Sequence, residues 1–297
     1  MAKIPRVVVV GDLLYDMLAR VEGSVAFGTD TFTSIHASAG GSGANAATWL
    51  ASLGVETHFV GRVGDDIFGE ALAGELKRSG VEPHLARDPS LATGKVFVLV
   101  DGAGERTMIT DRGAGEALSP EDLPETLFHS GHLHLSGYTF SGGSRRETAL
   151  SALRLAREAG MSISVDPSSV PLLEALGPDR FLEWTRGVDL CLPNLEEGAL
   201  LGGVEDPDRV AQELLRYYPG IILKLGAGGA MYASADGEWV RLPAVPVRVV
   251  DTTGAGDALC AGFLANRLSG ASAGGALQRG IEVAARVVGQ VGGRPGT

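Results

Sequence analysis

Residues 7–10 are four consecutive valines, apolar at every position rather than at alternate ones. A strand built that way must be covered on both faces, which is the signature of a parallel sheet clothed in helices. Gly11-Asp12 ends the run, so the carboxyl end of this strand (6–10) opens where ligands of such sheets gather. From Ser119 the pattern repeats, with a predicted helix over 121–128, a strand over 132–136, a helix over 144–159 and a strand over 161–165. Asp166-Pro167, short helices up to Trp184 and a strand over 188–192 follow. Such alternation predicts an α/β fold: a doubly wound, mainly parallel sheet with helices on both faces.

The early part of the chain reads differently. Segments 13–21 and 29–39 alternate in polarity around a glycine-containing turn, and predict exposed strands. Segments 95–101 and 106–111 flank Gly102-Ala103-Gly104 and read as a hairpin. Between them, a helix is predicted over 44–53, stopping at Gly54, then a strand over 56–60, a connection over 61–69 and a helix over 70–79. There are no internal repeats, low-complexity tracts or linkers, so one domain over 1–297 is expected.

One junction carries chemistry. The β-branched, proline-punctuated run 244–250 reads as β, and 258–268 reads as helix. Between them lies Asp251-Thr252-Thr253-Gly254-Ala255-Gly256-Asp257. The first amides of a helix lack internal partners, and glycines let a ligand approach them closely, so Gly254, Ala255 and Gly256 suit an anion. Asp257 would repel a resting anion, which suggests a base placed beside a phosphate during transfer. The plainer reading makes Asp251 or Asp257 a helix cap.

This run resembles the C-terminal signature of the PfkB, or ribokinase-like, carbohydrate kinases, and Gly40-Gly41-Ser42-Gly43-Ala44-Asn45 resembles the family's N-terminal signature. The resemblance spans essentially the whole chain. It implies a small β-sheet lid formed from about 13–39 and 94–112, and transfer of the γ-phosphoryl group of ATP to a hydroxyl of a small sugar or sugar acid, with Mg²⁺. Asp257 would be the general base, with an ordinary carboxylate pKa near 4. Asp16 and Asp12 would meet sugar hydroxyls, alongside Gly41 and Asn45. Asn194 and Glu197 of Pro193-Asn194-Leu195-Glu196-Glu197 would organise Mg²⁺ and phosphate through water, although the same spacing also makes a helix cap. Gly226, Gly228 and Gly229 would lie near the nucleotide. Asp251 and Thr253 are candidate ligands for a K⁺ ion. Gly292-Gly293-Arg294-Pro295 matches the family's closing loop only loosely, and Ser136-Gly137 stands where ribokinases carry a substrate-binding Glu.

Two cations read both ways. Arg112 is either a cleft residue holding a carboxylate, phosphate or hydroxyl pair, or a surface residue near Asp111 and Glu116. Lys224, at the end of the run 220–225, either neutralises phosphate or snorkels from a strand end. A nucleoside is the alternative acceptor, with a sugar phosphate or a non-catalytic sugar sensor behind it. An oxidoreductase is disfavoured because no G-x-G-x-x-G joins the first strand to a helix.

The net charge of −11 argues against nucleic acid as a partner. No run of the sequence reaches membrane-spanning length, no signal-peptide pattern begins the chain, and a cytoplasmic protein is expected. The two cysteines, Cys191 and Cys260, read as small buried apolar residues, and His132 and His134 as packing residues on a strand. The thin lid, with open strand edges, predicts a homodimer. A final helix is expected over 271–289.

Overall fold

The computed structural model describes residues 5–21, 23–102 and 106–296. The strands and helices in chain order are β1 (Val7–Val10), β2 (Leu14–Arg20), β3 (Ile35–Gly40), α1 (Ser42–Ser52), β4 (Thr57–Gly64), α2 (Ile67–Arg78), β5 (Val81–Asp88), β6 (Thr93–Val100) and β7 (Arg106–Gly113). Then follow β8 (His132–Ser136), α3 (Gly143–Glu158), β9 (Ser162–Asp166), α4 (Val170–Leu176), α5 (Pro178–Thr185), β10 (Leu190–Cys191), α6 (Leu195–Gly202) and α7 (Pro207–Leu214). The chain closes with β11 (Gly220–Lys224), β12 (Ala230–Ser234), β13 (Trp239–Leu242), α8 (Ala255–Leu268) and α9 (Ala273–Val288).

The larger sheet has nine strands in the order β13-β12-β11-β10-β9-β8-β1-β4-β5. Its pairs from β11 to β5 are parallel, and only the β11-β12-β13 end is antiparallel. The valines of β1 explain why it is central: Val7 and Val9 enter the core on one face, with α1, α8 and α9, while Val8 and Val10 enter the other, with α3 and α5. The chain leaves β1 to one side for β4 and to the other for β8, so the order reverses there and a crevice opens at the strand ends.

Beside it stands a four-stranded sheet, β3-β2-β6-β7. Its register sorts the side chains by face. Asp16 pairs with Val96 and Ser38, and Val96 with Thr110; Leu18 pairs with Val98 and His36, and Val98 with Met108. All of these line the cleft. Met17, Phe97 and Ile109 form the opposite face, where Phe97 and Ile109 are exposed. This smaller sheet lies where the lid was expected, with two differences: residues 29–34 are irregular, and β3 begins only at Ile35. Positions 103 and 104 of the anticipated hairpin turn lie outside the described residues.

Other departures have local causes. The helix expected over 121–128 is two short 3₁₀ turns, Pro120–Asp122 and Glu125–Leu127, because Pro124 interrupts the backbone donors between them. Positions 61–64 continue β4 instead of forming a connection. A side chain on Gly64 would meet the Leu91 carbonyl at 2.6 Å, so glycine here marks a close backbone approach within a strand. Strand β5 was not anticipated because Pro83 breaks its pattern; as the sheet's edge, it tolerates a missing donor. The run 244–250 is irregular, since Pro243 and Pro246 cannot donate to a ladder. Helix α7 carried an unread signal, an Asp206 cap followed by Pro207 at the first helical position. No helix among the described residues is long and apolar enough to cross a membrane.

Candidate active site

The carboxyl ends of β1, β8, β9, β10 and β11 and the starts of α1, α6 and α8 meet in a cavity of about 590 Å³ beneath the smaller sheet. Its lining holds Asp12, Asp16, Gly41, Asn45, Arg112, Asn194, Glu197, Lys224, Gly226, Asp251, Thr253, Gly254, Gly256 and Asp257. The structure therefore brings together nearly every residue singled out from the sequence. Gly228 lines neither this cavity nor the one next to it, and Ala255 and Gly229 line only the neighbour.

Asp257 sits in the first turn of α8, behind Gly254, which is left-handed (φ 72°) and packs on Gly293 so closely that a side chain would lie 2.6 Å from its Cα. No residue with a Cβ fits there. Ser42 Oγ donates to Asp257 Oδ1 at 2.7 Å and Asn45 Nδ2 donates to Oδ2 at 3.0 Å. Burial and the nearby Asp166 push the Asp257 carboxyl up to about 7, against the two hydrogen bonds and Lys224, which pull it down. This corrects the expectation of an ordinary carboxylate near 4. The Ala255 amide, expected to face an anion, instead donates to Thr252 O at 3.3 Å, while Gly254 and Gly256 line the cavity.

Asn45 is committed on both sides: its oxygen accepts from Arg294 Nε at 3.2 Å. Arg294 in turn donates to Glu75 Oε1 at 2.9 Å and to Gly40 O at 3.0 Å, so the C-terminal loop is stitched across the N-terminal motif. Trp49 Nε1 adds a bond to Gly293 O. The loose match of residues 292–295 to the family concealed this role. Asp12 behaves more as a structural clamp than as a hydroxyl acceptor. Its oxygens accept from the Ser42 and Gly43 amides at 3.2 Å and from Ser136 Oγ, capping α1 from a neighbouring strand end. Asp16, by contrast, has its carboxyl pushed up to about 6 by burial, with Arg294 opposing.

On the other wall, Lys224 does not snorkel. Its Nζ donates to Asp166 Oδ2 at 2.6 Å, at the end of β9. Burial opposes the ammonium charge, but Asp166 outweighs it and holds the pKa above the usual lysine range. In the sequence Asp166 was noted only with Pro167, after the strand over 161–165; nothing in its spacing links it to position 224. Asn194 and Glu197 form the full reciprocal cap, with Asn194 N and Nδ2 donating to Glu197 and Glu197 N donating back at 2.8 Å. Burial raises the Glu197 carboxyl to about 7. Asp251 accepts from Thr253 N and Oγ1 and from Gly292 N at 3.0 Å, pinning the loop before α8 to the closing loop.

A second cavity of about 510 Å³ adjoins the first and shares Lys224, Gly226 and Gly256 with it. Val245, Pro246, Val247 and Val249 of the irregular run 244–250 form one wall, and Leu259, Ile281, Ala284 and Val288 of α8 and α9 another. Such a wall suits a flat heteroaromatic ring. His132 and His134 are buried and bonded to Ser162 and Ser164, as packing residues, and both cysteines are free and buried. Among the described residues, no group of three or more His, Cys, Asp or Glu is arranged to hold a metal.

Comparison with known proteins agrees with this geometry. The family model described as pfkB family carbohydrate kinase matches residues 5–297. An ATP-dependent ribose-1-phosphate kinase of Halopiger xanaduensis is 32% identical over 94% of this chain and 89% of its own length. A fructokinase of Klebsiella pneumoniae is 34% identical over 86% of this chain and 82% of its own. A solved E. coli structure, provisionally assigned as ribokinase II and in complex with ATP and Mg²⁺, superposes with a TM-score of 0.86 at 27% identity over 97% of this chain and 94% of that one. With a cavity lined by charged side chains under the smaller sheet, an adjoining apolar one and an acid at a helix start in the first, the chain belongs to the pfkB family of carbohydrate kinases, phosphotransferases that use ATP to phosphorylate sugars.

Proposed function

We propose that the acceptor sugar lies in the cavity beneath the lid and is phosphorylated there, with Asp257 as general base. The single observation that carries this is the position of Asp257. Its carboxyl is half-buried, raised to about 7, and held by Ser42 and Asn45 in the cavity under the lid, next in the chain to Gly256, which lines both that cavity and the apolar one. The nucleoside part of ATP would occupy the apolar cavity, with its phosphates directed toward Gly254, Gly256 and Lys224, and Gly226 and Gly229 at the turn beside them. The acceptor oxygen forms a bond to the γ-phosphorus, the bond from that phosphorus to the β,γ-bridging oxygen breaks, Asp257 takes the acceptor's proton, and ADP leaves. Asn194 and Glu197 would hold Mg²⁺ through water, and the ion would neutralise charge on the phosphates. Asp251 and Thr253 would offer oxygens to a K⁺ ion at the loop they already pin. A reaction that consumes ATP fits a cytoplasmic setting, and the whole chain would act as one kinase domain with its lid.

Asp16 carries the acceptor's hydroxyl contacts in this reading, from the inner face of the lid. Loss of one charged hydrogen-bonding partner costs about 1.5 to 3 kcal/mol. Asp16→Ala should therefore raise the acceptor KM or lower kcat/KM by at least about tenfold, while the KM for ATP at saturating acceptor moves far less. Steady-state kinetics in both substrates tests this; a collapse in ATP affinity with the acceptor unaffected would reverse the two assignments.

The lid would pair with that of a second copy. Its outer face presents Phe97 at 47% and Ile109 at 59% exposure, and Ile35 at 62%, on a sheet only four strands wide. An isolated sheet this thin, with apolar residues in water, gains by covering them. Sedimentation velocity at micromolar concentration should give a dimer, and Ile109→Lys should shift it toward monomer. A monomeric parent whose residues 13–39 are well protected from hydrogen exchange would contradict the pairing.

A further inference from the structure

We infer that the acceptor carries an anionic group, a carboxylate or a phosphate, and that Arg112 receives it; this rests on the cavity under the lid being the acceptor site. Arg112 ends the inner face of β7 and lines that cavity, with its guanidinium 4.3 Å over the ring of Tyr138, which lines it too. It does not line the apolar cavity, so it stands on the acceptor's side of Asp257.

Its charge is poorly matched by the protein. The nearest carboxylate is Glu116 at 3.6 Å, too long for a hydrogen bond and 47% exposed. Glu116 is also the partner of Arg145, at 3.2 Å, whose side chain is only 2% exposed. Two guanidiniums thus share one half-exposed carboxylate. Asp12 lies close enough to favour the charge on Arg145, but its oxygens accept from the Ser42 and Gly43 amides and Ser136 Oγ, and it makes no hydrogen bond to either guanidinium among the described residues. Arg112 Nη1 and Arg145 Nε are both buried without a hydrogen-bond partner among the described residues.

Buried donors left unmatched call for an explanation, and a flat guanidinium fixed by stacking on an aromatic ring is set to grip two oxygens of one anion. The other cavity cation, Lys224, differs in this respect, being hydrogen-bonded to Asp166. A neutral sugar would leave Arg112 desolvated beneath the closed lid with only hydroxyls to meet it. An anionic one would satisfy it, with Asp16 still placed to accept hydrogen bonds from the acceptor's hydroxyls.

The test is a substrate panel with purified full-length protein, read as ADP release and as phosphorylated product. Fructose and ribose serve as neutral acceptors, 2-dehydro-3-deoxygluconate as the carboxylate-bearing one and ribose 1-phosphate as the phosphate-bearing one. The parent should favour at least one anionic acceptor over both neutral sugars by at least about tenfold in kcat/KM, and which one it favours separates the two sources of charge. Arg112→Gln should lower the ratio of anionic to neutral kcat/KM by at least about tenfold, the usual scale for a charged hydrogen-bonded contact. Arg112→Lys should restore part of that ratio. A parent that prefers a neutral sugar, or an Arg112→Gln variant whose ratio is unchanged, overturns the inference and leaves the kinase reading standing. Absence of phosphorylated product from all four acceptors would instead overturn the acceptor-site reading on which it rests.

Discussion

Asp257→Asn should leave the protein folded and able to bind ATP while lowering kcat by roughly a hundred- to ten-thousand-fold, the range expected for loss of a positioned general base. The variant keeps the side chain's size and removes its basicity. Thermal unfolding and nucleotide binding should therefore change little beside turnover. Turnover within a few-fold of the parent would end the role assigned to Asp257. The raised pKa adds a pH signature. Only the ionised carboxylate can take a proton, so kcat/KM should fall as pH drops below about 7. Glu197 is raised to a similar value, and an apparent pKa read from the profile therefore describes the cluster rather than one residue. A flat profile between pH 5.5 and 8, with chemistry rate-limiting, would show that no group of this kind controls the reaction. Stability runs the opposite way. The folded-state pKa of Asp257 exceeds its ordinary value of 3.8, so the fold holds this proton more tightly than the unfolded chain does. Its contribution is fully present below about pH 4 and is lost as pH rises through 7.

Lys224→Met should be costly in two separable ways. It leaves Asp166 as a buried carboxylate without its partner, and breaking a buried pair from one side costs about 3 to 5 kcal/mol. It also removes the cation shared by the two cavities, where the phosphoryl group would cross, and loss of one such electrostatic contact lowers kcat by roughly a hundred- to a thousand-fold. Adding Asp166→Asn should recover most of the stability, because the uncompensated charge goes with it, but none of the turnover. Chemical denaturation and kcat measured on the parent, both single variants and the double variant close the cycle. Recovery of turnover together with stability would make Lys224 a structural residue alone.

Much of the site was legible because its parts are local. A glycine pair ahead of a helix, an acid in its first turn and an N-x-x-E cap are each set within a few residues, and the structure gathers Asp257, Asn45, Asn194, Glu197 and Arg112 around one cavity. The unbroken valines of β1 determined a strand covered on both faces, and the strand and helix alternation after it determined a wound parallel sheet. Where the reading slipped, proline and glycine were weighed without their neighbours. Pro83 is harmless on an edge strand, Gly64 is needed where another backbone passes, and Pro246 ends pairing in a run whose residues otherwise favour strand.

What only the tertiary structure decided are the long-range partners and the charges they set. Lys224 finds Asp166 across 58 residues, Ser42 finds Asp257 across 215 and Arg294 finds Asn45 across 249. Spacing in a sequence encodes which side chains share a turn or a strand face, because those periods are short; it does not encode which loops a sheet's strand ends bring together. Nor does it encode how far water is excluded from a carboxyl. The change of Asp257 from an ordinary acid to one poised near 7 comes from that exclusion, set against bonds made by residues from the far end of the chain.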